Sequence, residues 1–289
     1  MGIGFLAEIA VEPGRIEARL LAMGSGWTVA DVVCSCGPGD RPYDEQHERV
    51  SIAIVTSGTF QYRGSGSNGR EVMTPGSILL GSPGQAFECG HEHGAGDRCL
   101  AFRFTPDYFE TIAEGSRVSD VRRVFRSLRL PPVPALSPVV AAACAAMAGP
   151  SEVAWDELGI RLAERAIQAD RELEPDWSTV TPAAIARVTR IVRMIEERPG
   201  DELTIVSLAR EAGLSPFHFL RMFEKLTGVT PHQYLRRARL RTAAALLMNG
   251  SAKVLDVALD AGFGDVSNFN HAFRAEFGVT PRAYRRQRR

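Results

Sequence analysis

Short apolar stretches separated by turn-forming residues characterise the chain before residue 105. Five of them are rich in β-branched and aromatic residues and predict strands over 27–34, 49–58, 59–63, 77–81 and 97–104. Clusters of Gly, Pro, Ser and Asp stand between these stretches and predict turns. Because no helical pattern intervenes, we expect the strands to form an antiparallel sandwich or barrel of the jelly-roll type.

Helical periodicity replaces this pattern after the fifth strand. Residues 106–114, 137–149 and 151–170 predict helices, the last two with Ser137 and Ser151 as N-caps. The third helix carries an apolar stripe at helical spacing, formed by Trp155, Leu158, Leu162 and Ala166. Packing on the barrel and contact with a second subunit both explain such a stripe, and the two can coexist.

A polar, proline-containing segment over 171–182 predicts a linker to a second domain. Beyond it, Thr204 is the predicted N-cap of a helix that ends at Gly213. Ser215 starts a new helix after a short turn. Two helices joined in this way form a helix-turn-helix unit.

This unit occurs twice. Seven of its residues recur at a constant offset of 50: Phe219, Phe223, Gly228, Val229, Thr230, Pro231 and Tyr234 answer to Phe269, Phe273, Gly278, Val279, Thr280, Pro281 and Tyr284. A long helix from Thr230 to Met248 is predicted to join the units rigidly. Two units form a tandem pair, since a solenoid needs at least three repeats.

The residues facing away from the predicted core are candidates for contacts with a partner. On the second helix of each unit they include Phe217, Leu220, Arg221, Val266, Ser267, Asn270 and His271. Polar side chains of these types pair with base edges, and apolar groups contact thymine methyls. Cationic side chains and helix N-termini beside them are predicted to bind phosphate, namely Thr204, Thr230, Arg236, Arg237, Lys253, Thr280 and Arg285.

The net charge of zero conceals an asymmetry between the two halves. Residues 178–289 hold 18 Lys and Arg against 10 Asp and Glu, a net charge of +8, and residues 1–177 carry the compensating −8. A basic domain joined to an acidic one favours a nucleic-acid partner on the basic side. Solvated helical domains are often basic too, so the charge alone does not predict nucleic-acid binding. The residues that face away from the core distinguish the two cases.

The last 105 residues or so strongly resemble the DNA-binding domain of AraC-type (AraC/XylS) transcriptional regulators. The resemblance rests on the Gly-Val-Thr-Pro motifs at 228–231 and 278–281, on the stretch 239–247, and on the signature residues Gly262, Phe263, Asp265, Phe269 and Phe273. It implies that the two units enter successive major grooves of double-stranded DNA, about 34 Å apart. It also implies that the seven outward residues read bases, although Leu220 and Val266 are apolar where polar readers are frequent.

Regulators similar to this family often carry an N-terminal cupin-like domain that binds a small-molecule effector. Residues 75–89 resemble the second cupin motif, with Gly76, Pro83 and Gly84 in place. Phe87 stands where that motif usually has a metal-binding histidine. The resemblance therefore implies a pocket for an organic effector and no required cofactor, and it disfavours the alternative of a cupin enzyme fused to a DNA-targeting module.

A second constellation supports an alternative function as a metal or thiol-redox sensor. Cys89, His91, His93 and Cys99 lie within eleven residues, and thiolates and imidazoles are ligands for zinc-like metal ions. A separate Cys-x-Cys pair is formed by residues 34 and 36. Buried cysteines also act as small apolar residues, so core packing, loop hydrogen bonds or contact with an organic ligand explain the same residues.

The remaining features exclude several classes of protein. The N-terminus lacks a basic segment before its apolar stretch, and no apolar run approaches the length of a membrane span, which predicts no signal peptide and no membrane partner. Five cysteines argue against a disulfide scaffold and predict a cytoplasmic protein. Neither a phosphate-binding glycine loop nor a nucleophile motif is present, so no catalytic residues are predicted and the protein is expected not to be an enzyme.

Together these features predict an α+β chain. A cupin-like β-barrel (jelly roll) with helices is expected over 1–135 as the sensor domain, a helical dimerisation or linker segment over 136–177, and an all-α domain of two helix-turn-helix units over 178–289. A homodimer is the expected assembly, and RNA polymerase is a further candidate partner.

Overall fold

The structure is a computed structural model that describes residues 14–64, 70–94, 96–115, 124–148, 154–173 and 181–286. Its strands are β1 (Ile16–Gly24), β2 (Trp27–Cys34), β3 (Tyr43–Gln46), β4 (Val50–Gly58), β5 (Phe60–Gly64), β6 (Glu71–Met73), β7 (Ile78–Gly81), β8 (Ala86–Gly90), β9 (Asp97–Phe104) and β10 (Arg129–Leu130). Its helices are α1 (Pro106–Gly115), α2 (Ser137–Ala148), α3 (Trp155–Glu172), α4 (Pro182–Glu197), α5 (Ile205–Glu211), α6 (Pro216–Thr227), α7 (Pro231–Asn249), α8 (Val254–Asp260), α9 (Val266–Phe277) and α10 (Pro281–Arg286). The predicted N-cap Ser151 and most of the predicted linker lie outside the described residues.

The strands form two antiparallel sheets that face each other. In the described residues one sheet has the order β1-β2-β9-β4-β7-β10 and the other β3-β8-β5-β6. Each of the five predicted strands corresponds to an observed one, namely β2, β4, β5, β7 and β9. The fold class is confirmed: a cupin-like β-domain is followed by helix-turn-helix units.

The central strands of the larger sheet are buried on both faces because their residues alternate between two apolar layers. On β4, Ala53 and Val55 point to the layer between the sheets, where they meet Tyr62. Ile52 and Ile54 point to the opposite layer, which is covered by α1, α2 and α3. The interior between the sheets is thus filled by side chains.

The apolar stripe of α3 packs in this outer layer. Leu158, Leu162 and Ala166 are buried in one cluster with residues of the larger sheet, and Trp155 packs against its edge. Of the two explanations for the stripe, packing on the barrel is therefore the one observed here. Contact with a second subunit stays a prediction.

The C-terminal helices form two similar cores joined by α7. Its first half contributes Tyr234 and Leu235 to the core of α4–α6, and its second half contributes Leu240 and Leu247 to the core of α8–α10. One continuous helix therefore belongs to both units, as predicted from the repeat. In the described part of the chain, no helix has the length and apolar character needed to cross a membrane.

The β-domain contacts both helical units. The guanidinium of Arg129 binds Glu71 at 2.8 Å and donates to the carbonyl oxygen of Thr227, at the end of α6, at 3.0 Å. At the other unit, Ser137 at the start of α2 hydrogen-bonds the carboxylate of Glu276 on α9. Ser137 was the predicted N-cap of α2, and its side chain instead bridges two domains.

Candidate functional site

The second helix of each helix-turn-helix unit is held at both ends by local signals. At the start, Ser215 accepts from the backbone N–H of His218 in α6, and Asp265 accepts from that of Asn268 in α9. At the end, Gly228 and Gly278 adopt the left-handed conformation, with φ of 77° and 75°. Side chains other than Gly are strained in that conformation, so the repeated glycine stops the two helices at equivalent places.

The outer face of α6 is open to solvent. Phe219 and Phe223 fill the core on its inner face, while Phe217 is 63% exposed. Arg221 is also exposed, and its guanidinium lies over the Phe217 ring, 5.7 Å from the centroid. Leu220 is half-buried beside them. The aromatic ring thus supports a cation that points outwards.

The corresponding face of α9 is open as well. Ser267, Asn270 and His271 are exposed, and Val266 is half-buried. Phe273 and its neighbours occupy the inner face. The β-domain covers neither row of predicted base-reading residues, so both remain accessible to a partner in this arrangement.

Most of the predicted phosphate-binding residues lie at the surface beside these helices. Thr204 and Thr230 are confirmed as N-caps with capping boxes. The side chain of each accepts from the backbone N–H of the third residue of its helix, and its own backbone N–H donates to the side chain of that residue. Arg285 is half-buried and donates to the carbonyl oxygen of Ala252 at 2.6 Å. The exposed members of the set are Thr204, Arg236, Lys253 and Thr280.

Arg237 is placed differently from the sequence-based expectation. It is only 4% exposed, and its Nε donates to Glu276 at 3.2 Å. Its Nη1 is buried and has no hydrogen-bond partner among the described residues. From this position the side chain faces the interior and cannot reach a phosphate.

Arg237 lines a cavity of about 600 Å³ between the β-domain and the helical units. The ends of β2, β4 and β9 form one wall, α2 forms a second, and α7, α9 and α10 form a third. The α2 wall is apolar and includes Val140, Ala141 and Ala145. Its charged lining residues are Asp97, Arg98, Glu196, Arg237, Arg241 and Glu276.

Three aromatic side chains pack together between the two sheets, among them Phe87 at the position where the second cupin motif usually has a metal-binding histidine. His47 stacks on Phe87 with ring centroids 4.2 Å apart, and its Nε2 hydrogen-bonds the Tyr62 hydroxyl at 2.7 Å. Burial, reinforced by the charge of Arg103, lowers the pKa of His47 to about 4. The histidine is therefore neutral near pH 7, and its described partners are aromatic.

Stability should consequently fall as the pH drops from 6.5 to 4. In this window His47 accepts a proton in the unfolded chain, where its pKa is 6.5, but not in the folded one. A difference of this size removes about 2–3 kcal/mol from the free energy of unfolding. Urea titrations across the window should show a shallower loss for His47→Gln. The same substitution at the exposed His232 should leave the slope unchanged, and equal slopes for all three proteins would refute the assignment.

Among the described residues, the four members of the predicted Cys/His cluster do not come together as one group of potential metal ligands. Cys89 is buried in the layer between the sheets, and His93 lies 4.0 Å from Glu92. The Cys99 thiol donates to Asp97 at 3.4 Å. His91 lies close to two other cysteines, Cys34 and Cys36: the potential ligand atoms of these three residues are all within 4.8 Å of one another.

Two known protein families match two separate ranges of the chain. Residues 35–163 match the family described as the AraC-like ligand binding domain, and residues 208–287 match a helix-turn-helix domain family. The chain belongs to the AraC-type family of transcriptional regulators. The order of the two domains agrees with the resemblance seen in the sequence.

Curated relatives match about a third of this AraC-type chain. It is 36% identical over 103 residues to the transcriptional activator RhaS of Escherichia coli, covering 36% of this chain and 37% of RhaS. It is 31% identical over 101 residues to the transcriptional regulator MtrA of Neisseria gonorrhoeae, covering 35% of this chain and 34% of MtrA. The match thus spans about a third of the length of these curated relatives. They are transcription regulators and not enzymes, in agreement with the prediction.

A solved structure is also similar to part of the chain. The DNA-binding domain of AdpA in complex with a target DNA is 31% identical, with a TM-score of 0.34, and the match covers 35% of this chain and 91% of the AdpA chain.

Proposed function

We propose that this AraC-type chain is a sequence-specific DNA-binding transcription regulator controlled by a small organic effector. The observation that supports it most is the pair of open faces on α6 and α9, each supported by a phenylalanine core and flanked by exposed cations and N-caps. In this proposal residues 178–289 bind DNA, residues 1–135 form the sensor, and the helices of 136–177 link them.

The DNA-binding step is tested by selecting bound fragments from random double-stranded DNA with the full chain. The selected sites should contain two short elements about one helical turn apart. The logarithm of the affinity should fall steeply and linearly with the logarithm of the salt concentration, because phosphate contacts release counterions. A flat salt response, or no enrichment of any sequence, would contradict the proposal.

Arg221→Ala should weaken binding to the selected site by about 1–3 kcal/mol and relax the preference at one base pair. The reason is that Arg221 is exposed on the outer face of α6 and already oriented by Phe217. Competition assays with single-base variants of the site measure both effects. Arg236→Ala serves as the control: removal of this exposed cation on α7 should weaken all sites alike. A uniform loss in Arg221→Ala would instead assign that residue to phosphate.

The effector is proposed to occupy the cavity between the domains rather than the space between the sheets. The latter is filled by side chains, whereas the cavity has room for a small molecule. Arg237 provides a buried donor without a partner, and leaving such a donor unpaired is unfavourable. An acceptor oxygen on a largely apolar ligand would pair with Nη1 and place its apolar part against α2.

A ligand in this cavity would act directly on the second DNA-reading helix. α9 presents Asn270 and His271 to solvent and contributes Glu276 and Phe277 to the cavity. The two sets are about two turns apart on one rigid helix. A ligand that competes for Arg237 would loosen its bond to Glu276 and change how α9 is held against α2, provided that it binds one arrangement better than the other.

Thermal-shift measurements with a panel of small organic acids test this step. A binding acid should raise Tm in the wild-type protein and in Arg236→Gln, but not in Arg237→Gln. A Tm increase of the same size in Arg237→Gln would place the ligand elsewhere. The same acid should also change the DNA affinity of the full chain.

Assembly and transcriptional output are further parts of the proposal. A homodimer would bring two pairs of reading helices to one promoter, and light scattering of the full chain tests this directly. Contact with RNA polymerase is tested by transcription with purified polymerase, since an activator raises transcript levels from the selected site and a repressor lowers them.

A further inference from the structure

A buried cluster of metal-ligating side chains lies beside the cavity. Cys34 is at the end of β2, Cys36 follows it, and His91 comes after β8. Their exposed fractions are 5%, 8% and 5%, and their potential ligand atoms lie within 4.8 Å of one another. Two segments that are distant in sequence, 34–36 and the residue after β8, therefore bring two thiols and an imidazole to one buried point.

The spacing of this cluster fits a tetrahedral metal after a small contraction. Zinc binds thiolate sulfur at about 2.3 Å and histidine nitrogen at about 2.0–2.1 Å, which places the ligand atoms about 3.5–3.8 Å apart. Because the potential ligand atoms of the three residues lie within 4.8 Å of one another, movements of at most about 1 Å bring them to this geometry.

The surroundings already hold two of the ligands in place. Asp97 hydrogen-bonds the Nε2 atom of His91 at 2.6 Å and so fixes the ring, an arrangement often found at metal-bound histidines. The backbone N–H of Gly96 donates to the carbonyl oxygen of Cys36 at 2.8 Å. Gly96 has φ of 70°, and a Cβ there would lie 2.9 Å from the carbonyl oxygen of Cys34, so the close packing of these segments requires glycine.

We propose that Cys34, Cys36 and His91 bind one Zn²⁺ ion. Two thiolates and one imidazole are a known protein ligand set for zinc, with the fourth position left to water or to another oxygen or nitrogen donor. Cys34 and Asp97 also line the cavity. The ion therefore joins the end of β2 to the segment before β9 at the wall of the proposed effector site. This inference is independent of the DNA-binding function.

The test uses the full chain, purified under reducing conditions and freed of metal by a chelator. Titration with Co²⁺ should give a one-to-one complex with a thiolate charge-transfer band and the visible bands of tetrahedral cobalt. Zn²⁺ should displace the cobalt and abolish both. Absence of a stoichiometric thiolate–cobalt spectrum in the wild-type protein would overturn the proposal, whatever the variants do.

Variants then identify the ligands. Cys36→Ser and His91→Ala should each weaken Co²⁺ binding more than tenfold, and Cys36→Ser should also reduce the charge-transfer intensity. The matched control Cys144→Ser changes a thiol on α2, outside the cluster, and Cys89→Ser tests the set suggested by sequence spacing. Both should bind like the wild type, and an equal loss in either would reassign the site.

X-ray absorption of the zinc-loaded wild-type protein provides a measurement that needs no variant. Two sulfur neighbours at about 2.3 Å, together with nitrogen or oxygen neighbours at about 2.0–2.1 Å, support the proposed ligands. A shell without sulfur, or with four sulfurs, would contradict them.

Discussion

Phe273→Ala is expected to lower the free energy of unfolding of the C-terminal helices by about 3–5 kcal/mol, the usual effect of truncating a fully buried phenylalanine. The Phe273 ring is completely buried on α9 and packs against Phe269, Phe277 and Tyr284, with centroids 4.4–5.5 Å away. Removing it leaves a cavity in the centre of the second helix-turn-helix unit. The fragments selected by the variant should then show only the element bound by the first unit.

Denaturation followed by far-ultraviolet circular dichroism measures this loss, because the affected unit is helical. His271→Ala is the matched control, since it removes an exposed ring from the same helix. That change should alter stability by no more than about 0.5 kcal/mol. A loss below about 1 kcal/mol in Phe273→Ala would show that the core is less tightly packed than the structure indicates.

Asp31→Ala is expected to destabilise the β-domain by a similar amount, about 3–5 kcal/mol. Asp31 is fully buried on β2, and its two carboxylate oxygens accept from Nε and Nη2 of Arg98, both at 2.7 Å. Burial opposes ionisation of Asp31, but the bonds and charges of Arg98 and Arg19 outweigh it and lower its pKa. The substitution leaves the buried Arg98 cation without its partner.

Tryptophan fluorescence, to which Trp27 on the same strand contributes, reports this unfolding. Arg19→Ala removes only the exposed partner of Asp31 and should cost less than about 1 kcal/mol. The double substitution Asp31→Leu with Arg98→Met should recover much of the loss, because the buried charges are then removed together. If Asp31→Ala had the same free energy of unfolding as the wild type, the Asp31–Arg98 ion pair would have to be solvated rather than buried.

The sequence predicts best those strands that are buried on both faces, because all of their residues then lie in an apolar environment. β4 and β9 are buried on both faces, and each contains an apolar run. β1 was missed because it is an edge strand whose Leu20 and Met23 are exposed, so it lacks both such a run and a clear alternation. β3 was missed because its four residues are largely polar.

The candidate sites divide in the same way. The outer faces of α6 and α9 follow from helical periodicity and from the repeat, so their residues were predicted correctly as exposed or half-buried. Arg237 was expected at the surface, because its burial depends on α2 and Glu276, which are far away in the sequence. The grouping of Cys34 and Cys36 with His91 depends on the pairing of β2 with β9, which places Cys34 opposite Asp97. The alternation of Cys34 and Cys36 is evident in the sequence, but the proximity of His91 to them is not.

The continuity of α7 has a consequence for the promoter rather than for the protein. Its 19 residues extend about 28 Å and contribute to both cores. The distance between the two reading helices is therefore fixed by a rigid helix and not by a flexible linker. Inserting about five base pairs between the two DNA elements would turn the second one to the opposite side of the duplex. Inserting a full helical turn would return the second element to the original side of the duplex but would separate the two elements by more than α7 can span. We therefore expect that neither insertion allows both reading helices to bind DNA at once.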